Sequence, residues 1–595
     1  MRCRIACPAD MPEDRSRQGP IRIPRRGRGR AGRSSGGTAQ GDPPRRAAPR
    51  VRLRRFGRAG TIRRGFSPSW ASGWGEFVVK YYDSVVYGAT PSGIVAASLM
   101  GKRGLRVLVI EPTGHVGGLM TSGLNATDII GSGSILRGAA REVFQRAGAA
   151  YGSPEIEFRA EPHVLAGIFR GLLDEAGVEL RTGTRIATIM KTGPSLSHAV
   201  LEDGDTVWSA FWIDATYEGD LLPLAGVSCR IGRESAEAHG ETMAGRRRLG
   251  SMLPAPLDEP IPARDGRGKL LPYLLPPDGV RLGDGDSRLQ AFCYRLTLTR
   301  NPDNRLPIPE PDRYDPADME LFRRLALSGR RKGAGAVSIV HGTTFNSIFF
   351  NLARLRGGKY DMNSGHAAPI NLPLAGMDWL GSGPAGRRRI AAIYRDYTAR
   401  ILHFIRTDES VPEETRRFFA EFGFCRDEYH GSDGWPPALY VREGRRLQGI
   451  DTLTEHDVLR GAVDPEADIG IGRYPLDCKP IQWTVTADGE RAVREGMIFG
   501  KCDRYGIRYG MLLPKPEEAS NLLASVAASA THIAFASLRM EPHWMIMGAA
   551  AGAAVVLATR QRRTLHALAG RAVRALAEAD LPHAVPEPAV ALAAG

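Results

Sequence analysis

VVYGATPSGIVAAS, residues 85–98, decides how this chain folds. An apolar run ends at Gly88, and an alanine-rich segment begins at Gly93 after a short turn. That pattern marks a strand handing over to a helix. The dinucleotide fingerprint G-x-G-x-x-G places three glycines on such a turn. Gly88 and Gly93 take its first and third places, and Thr90 stands at the second. Downstream, LRVLVIE (105–111) is a continuous apolar strand ended by an acid, as expected of a parallel strand buried on both faces. Strand, glycine turn, helix and strand form a βαβ unit with a right-handed crossover. The fold class read from this is α/β: a Rossmann-like dinucleotide-binding fold on a central parallel sheet, with an inserted mixed α+β domain.

Three further features stand in register with the turn. Glu111 ends the second strand 23 residues after Gly88, where an acid accepts hydrogen bonds from a ribose. The doublet Gly117-Gly118 follows in EPTGHVGGLMTSG, and such glycines let backbone pass close to a flat cofactor. IDATYEGDLLPLAGV (213–227) ends an apolar strand in small residues, at the sheet edge where ligands bind. Thr90 replaces glycine if its hydroxyl donates to a phosphate oxygen. Pro91 suits the first turn of a helix, whose positive N-terminus attracts the same phosphate.

Outward from this unit, EPHVLAGIFRGLLDEAG reads as a helix, with Leu165, Ile168, Phe169, Leu172 and Leu173 on one face and Gly177 at its end. VELRTG, RIATIM, HAVLED and TVWSAFWIDAT read as short strands. From about 235 to 470 the pattern loosens into Pro- and Gly-rich connections. The clearest regular pieces there are LYVREGRRLQG and the segment around Met319–Leu327. The α/β signal returns with strand NLLASVAAS and a small-residue helix from about Pro542 to Leu557. The expected boundaries are a disordered Arg-rich tail (1–75), a first FAD-type dinucleotide-binding part (76–235), a substrate or cap domain (236–470), a returning dinucleotide-binding part (471–560), and a C-terminal helix and tail (561–595).

The chain has 595 residues and a formal charge of +15. Residues 1–70 hold 19 arginines, no lysine and four acids, which leaves 61 basic against 61 acidic residues in the remainder. The ordered region therefore has no basic field, and no nucleic-acid partner is expected for it. The tail has too little apolar content to bury a core. Arg63-Arg64 is followed by no apolar segment of signal length. The run WMIMGAAAGAAVVLA falls short of the ~18 residues that suggest a membrane span. Cysteines at 3, 7, 229, 293, 425, 478 and 502 form no C-x-x-C pair outside the tail. That spacing argues against a zinc site, an iron–sulfur cluster or a disulfide framework, and predicts a cytoplasmic protein with no metal.

The motifs YGATPSGIVAA, EPTGHVGGLMTSGLNATD, DATYEGDLL, LYVREGRRLQG and SATHIAFASLRMEPHWMIMGAAAGAA, in this order, resemble the FAD-dependent oxidoreductases of the glutathione-reductase-like superfamily. Within that superfamily they resemble the family related to the flavoprotein subunit of heterodisulfide reductase. The resemblance implies that Gly88, Ala89, Thr90, Pro91, Ser92 and Gly93 hold the FAD diphosphate and that Glu111 takes the ribose. It places Gly117, Gly118 and Met120 along the flavin, Ala215, Thr216, Gly219 and Asp220 near the cofactor, and His532, Arg539, Met540 and Glu541 in the segment closing over the isoalloxazine. It implies hydride or electron-pair transfer between a small organic substrate and a second acceptor. Relatives carry iron–sulfur clusters, but these cysteines do not support one.

Among candidate catalytic groups, His532 is the first choice for acid/base work, since imidazole titrates near neutrality. Arg442 and Glu443, with Arg445 and Arg446 beside Tyr440, either bind a substrate anion or fix their loop. His366 is a further candidate. Two other readings stay open: a flavin-binding RNA-modifying enzyme using the arginine tail, and an interaction module with structural FAD.

Overall fold

The computed structural model describes residues 80–127, 133–254, 257 and 259–579. The predicted tail, Cys3, Cys7, residues 77–79 of the first strand and Asp128 lie outside the described residues. The first sheet grows from the βαβ unit. Strand β1 (Lys80–Tyr87) leads through the glycine turn into helix α1 (Pro91–Lys102) and on to strand β2 (Val107–Glu111). Ten of the twelve residues of α1 are buried, which is why its apolar residues crowd together rather than forming one stripe. Helices α2 (Gly138–Ala150) and α3 (Pro162–Glu175) follow, the latter burying the predicted Leu165, Phe169, Leu172 and Leu173. Gly177 ends that segment at φ 61°, a left-handed conformation that suits glycine.

Strands β3 (Glu179–Thr182), β4 (Ile186–Thr192), β5 (Ser195–Leu201) and β6 (Thr206–Asp214) complete the N-terminal half. The order is β3-β2-β1-β6-β5-β4, and a late strand, Leu522–Ala524, runs parallel to the end of β6. Pairs among β3, β2, β1 and β6 are parallel, whereas β4 and β5 form an antiparallel extension. Register fixes the site. Tyr87 pairs with both Ile110 and Asp214, and Asp214 pairs with Ala524. The residues that follow, Gly88, Glu111, Ala215 and Ser525, therefore emerge together at the carboxyl edge of one sheet.

The middle region contains more regular structure than its sequence suggests. Seven short strands form a second sheet, whose centre is Leu296–Thr299, Lys359–Ser364 and Phe350–Arg354. Helices α4 (Glu320–Arg331), α5 (Pro384–Thr407) and α6 (Glu413–Ala420) accompany it. The 24-residue α5 went unread, although Ile390, Tyr394, Tyr397, Ile401 and Ile405 recur at helical spacing and are all buried. LYVREGRRLQG, by contrast, is mostly irregular, with only Arg446 and Leu447 in a strand.

The C-terminal part carries strand Leu476–Cys478, helix α7 (His532–Leu538), helix α8 (Glu541–Gln561) and helix α9 (Gly570–Glu578). The small residues of α8 allow close packing on α1. A Cβ at Gly548 would stand 2.2 Å from the Ser92 carbonyl oxygen, and one at Gly552 2.7 Å from that of Ala96. Counting only its apolar run understated this helix: α8 has 21 residues and is apolar enough to cross a membrane by composition. Within that helix, 89% of the apolar window is buried inside the fold, as in a core helix.

Candidate active site

The glycine turn is built by close backbone approach. Gly88 adopts φ 107°, and a Cβ there would lie 2.8 Å from the carbonyl carbon and oxygen of Ala215. At Gly93 a Cβ would lie 2.1 Å from the Gly88 carbonyl oxygen. No flexible group can yield at either place, so glycine is required. Ala89 N donates to Glu111 Oε2 (2.8 Å), and Thr113 donates to Glu111 Oε1 through N (2.8 Å) and Oγ1 (2.7 Å). Burial raises the pKa of Glu111, with those bonds opposing it. Glu111 thus stands at the predicted sheet edge, already tied to the loop it serves.

Thr90 has a different role from the one expected. It is the N-cap of α1: its Oγ1 accepts from Gly93 N (3.3 Å) and donates to the Ala215 carbonyl (2.8 Å). The hydroxyl proton is committed to backbone and is not offered to a phosphate. Ser92 Oγ donates to Ser525 Oγ (2.9 Å), joining the turn to the late strand. Pro91 occupies the first helical position as predicted.

Gly117 N donates to the Ala89 carbonyl (2.8 Å), which brings the glycine doublet against the turn. The doublet opens a 3-10 turn, Gly118–Thr121, that includes the buried Met120. A Cβ at Gly118 would meet Pro91 Cδ at 3.1 Å and the Tyr217 hydroxyl at 2.2 Å. That hydroxyl accepts from Leu119 N (2.9 Å) and donates to Glu541 Oε1. The Tyr217 hydroxyl therefore joins the start of the 3-10 turn to the first residue of α8. Tyr217 was not among the predicted site residues, although it lies within the quoted DATYEGDLL.

The strand end beside it is held internally. Asp214, fully buried and pushed up to about 7 by burial, accepts from Thr216 N (3.0 Å), Thr216 Oγ1 (2.7 Å) and Leu221 N (2.9 Å). Ala215 and Thr216 thus sit against the glycine turn. Gly219 and Asp220 serve packing instead. A Cβ at Gly219 would lie 2.9 Å from Ala527 Cβ, and Asp220 pairs with Arg387 (2.7 Å) and Arg445 (3.0 Å).

A buried polar cluster adjoins this edge. His532, the first residue of α7, lies 2.9 Å from Glu443 through Nδ1 and 3.4 Å from Cys478 Sγ through Nε2. Its backbone N donates to Glu234 (2.9 Å). Burial would lower the imidazole pKa, but the Glu443 carboxylate and Cys478 overcome it and push it up to about 10. His532 is therefore an imidazolium at neutral pH. Glu443 is also held by Arg446 Nε (3.0 Å) and Gln290 (3.1 Å). Burial opposes its charged form, yet these partners keep it below the ordinary carboxylate value. The imagined Arg442–Glu443 pair does not form, because the two side chains take different partners. Arg442 donates to the Ala291 carbonyl (2.6 Å) and Cys293 Sγ (3.2 Å), with its guanidinium 4.3 Å from the Tyr440 ring centroid. Cys478 and Cys293 were missed by a search for cysteine pairs. Their partners come from segments 54 and 149 residues away.

Arg539 donates to the Tyr440 hydroxyl (3.0 Å) and lies 3.6 Å from Asp477. A small cavity of about 20 Å³ is lined by Leu124, Thr127, Tyr440, Arg539, Met540, Glu541 and Pro542. Burial pushes Glu541 up to about 8, so it is protonated at neutral pH, and its Oε2 has no hydrogen-bond partner. His366 is exposed and lies outside this lining. Elsewhere, Glu161, His163, Asp427 and Glu428 converge at metal-like spacing. The Lys359 ammonium already supplies their cation, 2.6–2.9 Å from Glu428, Asp427 and Glu161.

The family model described as FAD dependent oxidoreductase matches residues 83–577. The chain belongs to that FAD-dependent oxidoreductase family. No curated protein matches it. Among solved structures it is similar to Thermovibrio ammonificans THI4, with 19% identity over 26% of this chain and 66% of that one and a TM-score of 0.21. It is also similar to the L-proline dehydrogenase from P. horikoshii (16% identity, 26% and 59% covered, TM-score 0.21). A third is NikD, an unusual amino acid oxidase essential for nikkomycin biosynthesis (18% identity, 26% and 57% covered, TM-score 0.20). The chain thus spans between 57% and 66% of the length of those three chains.

The chain's own residues fit the cofactor this family takes. Glycines stand where backbone must pass closely, and an acid ends β2. Helix α1 starts directly after the glycine turn, and its N-terminus favours an anionic diphosphate. The Tyr217 hydroxyl, accepting from Leu119 N, stands beside the glycine doublet. The five described cysteines are free thiols.

Proposed function

We propose that this member of the FAD-dependent oxidoreductase family transfers a hydride or electron pair between a small organic substrate and a second acceptor. The observation that carries the reading is the convergence of Gly88–Gly93, Glu111, Gly117-Gly118 and Glu541 at the carboxyl edge of one parallel sheet. FAD, when bound, supplies the redox chemistry. Gly88, Ala89, Pro91, Ser92 and Gly93 would hold its diphosphate, and Glu111 its ribose. Gly117, Gly118, Met120, Ala215, Thr216, Arg539, Met540 and Glu541 would shape the remainder of the site. Residues 80–235 and 522–579 would form the cofactor domain, and the middle region would cover it.

His532 is the proton-holding group of this reading. Its Nε2 faces Cys478 Sγ, and Glu443 fixes the ring through Nδ1. Cys478 follows Asp477, which anchors Arg539 at the cavity wall. The family's relation to the heterodisulfide reductase flavoprotein subunit, and a cytoplasmic location, belong to the same proposal. Its test is the visible spectrum of the purified chain. A yellow protein releasing FAD on denaturation supports the reading, and a preparation that stays colourless after incubation with FAD overturns it.

A further inference from the structure

Arg442 is 1% exposed, and among the described residues no carboxylate lies within 4 Å of its guanidinium. Its Nε has no hydrogen-bond acceptor, and neither has Nε of Arg539, which is 2% exposed. One tyrosine joins them: Arg442 stacks on the Tyr440 ring, and Arg539 donates to the Tyr440 hydroxyl. Lys479 adds a third cation, 2.9 Å from Asp477 Oδ1. Asp477 is the one carboxylate of this group. Burial pushes it up, but Lys479, Arg539 and Arg442 hold it down at about 2. Glu541 adds no negative charge at neutral pH, since burial keeps it protonated. Three cations thus face one anion, and the two guanidiniums are shielded from water. Buried cations in excess of their counter-charge are destabilising, so the arrangement calls for an anion supplied from outside the chain.

We propose that Arg442 and Arg539, bridged by Tyr440 beside the cavity, form an oxyanion site that binds the carboxylate of the substrate. Arg539 also donates to the Asp477 carbonyl, so both terminal nitrogens of each guanidinium are engaged and Nε is the donor each has left for a carboxylate oxygen. Tyr440 and Arg539 line the cavity directly, with Thr127 and Glu541 on the same wall. The space of about 20 Å³ admits one carboxylate oxygen, which is about the size of a water. Protonated Glu541, whose Oε2 lacks a partner, offers a donor to that oxygen. The proposal deepens the flavoenzyme reading by naming the substrate class, and it rests on that reading.

The test uses the full FAD-loaded chain, with formate as probe and formamide as its uncharged analogue. FAD content is measured first by release on denaturation, which tests the flavoenzyme reading separately. Formate, at constant ionic strength, is expected to raise the thermal midpoint and perturb the flavin spectrum, whereas formamide does neither. Arg442→Gln is expected to weaken formate binding about 10- to 100-fold. Arg442→Lys and Arg539→Lys keep the charge and lose the free Nε donor, so they weaken it several-fold, and they carry the test if the glutamine variant does not fold. Equal responses to formate and formamide, or formate affinity within twofold of the parent in every folded variant, would overturn the proposal. If no FAD is bound, the thermal arm still reports on the anion site.

Discussion

Glu541→Gln is expected to make the flavin-free protein more stable at neutral pH and to leave it unchanged in acid. Glu541 opens α8 with 3% of its surface exposed, and burial moves its pKa from 4.5 to about 8. Between those values the unfolded chain releases the proton while the folded chain keeps it, so stability falls as pH rises. Each unit in that window costs about 1.4 kcal/mol, which amounts to roughly 3 kcal/mol at pH 7. Glutamine has the shape of the protonated acid, and its carbonyl still accepts from Tyr217. It carries no proton to lose, so the penalty disappears. The assay is urea unfolding followed by tryptophan fluorescence from pH 4 to 8.5. The stability gain should start near zero at pH 4 and grow by about 1.4 kcal/mol per unit above pH 4.5. A difference that does not vary with pH, or a glutamine variant less stable than the parent at pH 8, would refute the reasoning.

Three other outcomes follow from the same geometry. Thr90→Val removes the cap on α1 and its bond to Ala215, so it should cost about 1–2 kcal/mol in denaturant unfolding and weaken FAD uptake, whereas Thr90→Ser keeps both. Gly93→Ala forces a Cβ to 2.1 Å from the Gly88 carbonyl, and the purified variant should lack FAD; a stoichiometric yellow protein would contradict the close approach. Glu443→Gln leaves a buried imidazole without its carboxylate. The His532 ion pair contributes stability below pH 6.5 that is lost as pH rises toward about 10, so the variant should lose several kcal/mol near pH 6 and less above pH 10, where the loss that remains is that of the Arg446 partner. Urea midpoints across that range check the direction.

Much of the fold was legible because its signals are local. A buried parallel strand must be apolar, a tight turn between strand and helix must carry glycine, and β2 must end where Glu111 stands. The turn, the acid and the doublet could be placed from spacing alone. The middle sheet was not legible, because strands such as Arg305–Leu306 and Thr344–Asn346 are too short for a period to show.

Partner choice was beyond the sequence. VREGRRLQG announces a dense group of charges but not their directions. Packing sends Arg442 to Tyr440, Glu443 to His532, Arg445 to Asp220 and Arg446 to Glu234. Likewise, Thr90 stands where a phosphate ligand was expected, and only the approach of Ala215, 125 residues away, commits its hydroxyl to backbone. By itself the sequence determined the dinucleotide-binding edge, since that depends on residue size and backbone freedom at fixed spacings. Tertiary structure decided which charges are neutralised, which remain in excess and which tyrosine stands against the glycine doublet. Those outcomes depend on distances between segments that chain order does not encode.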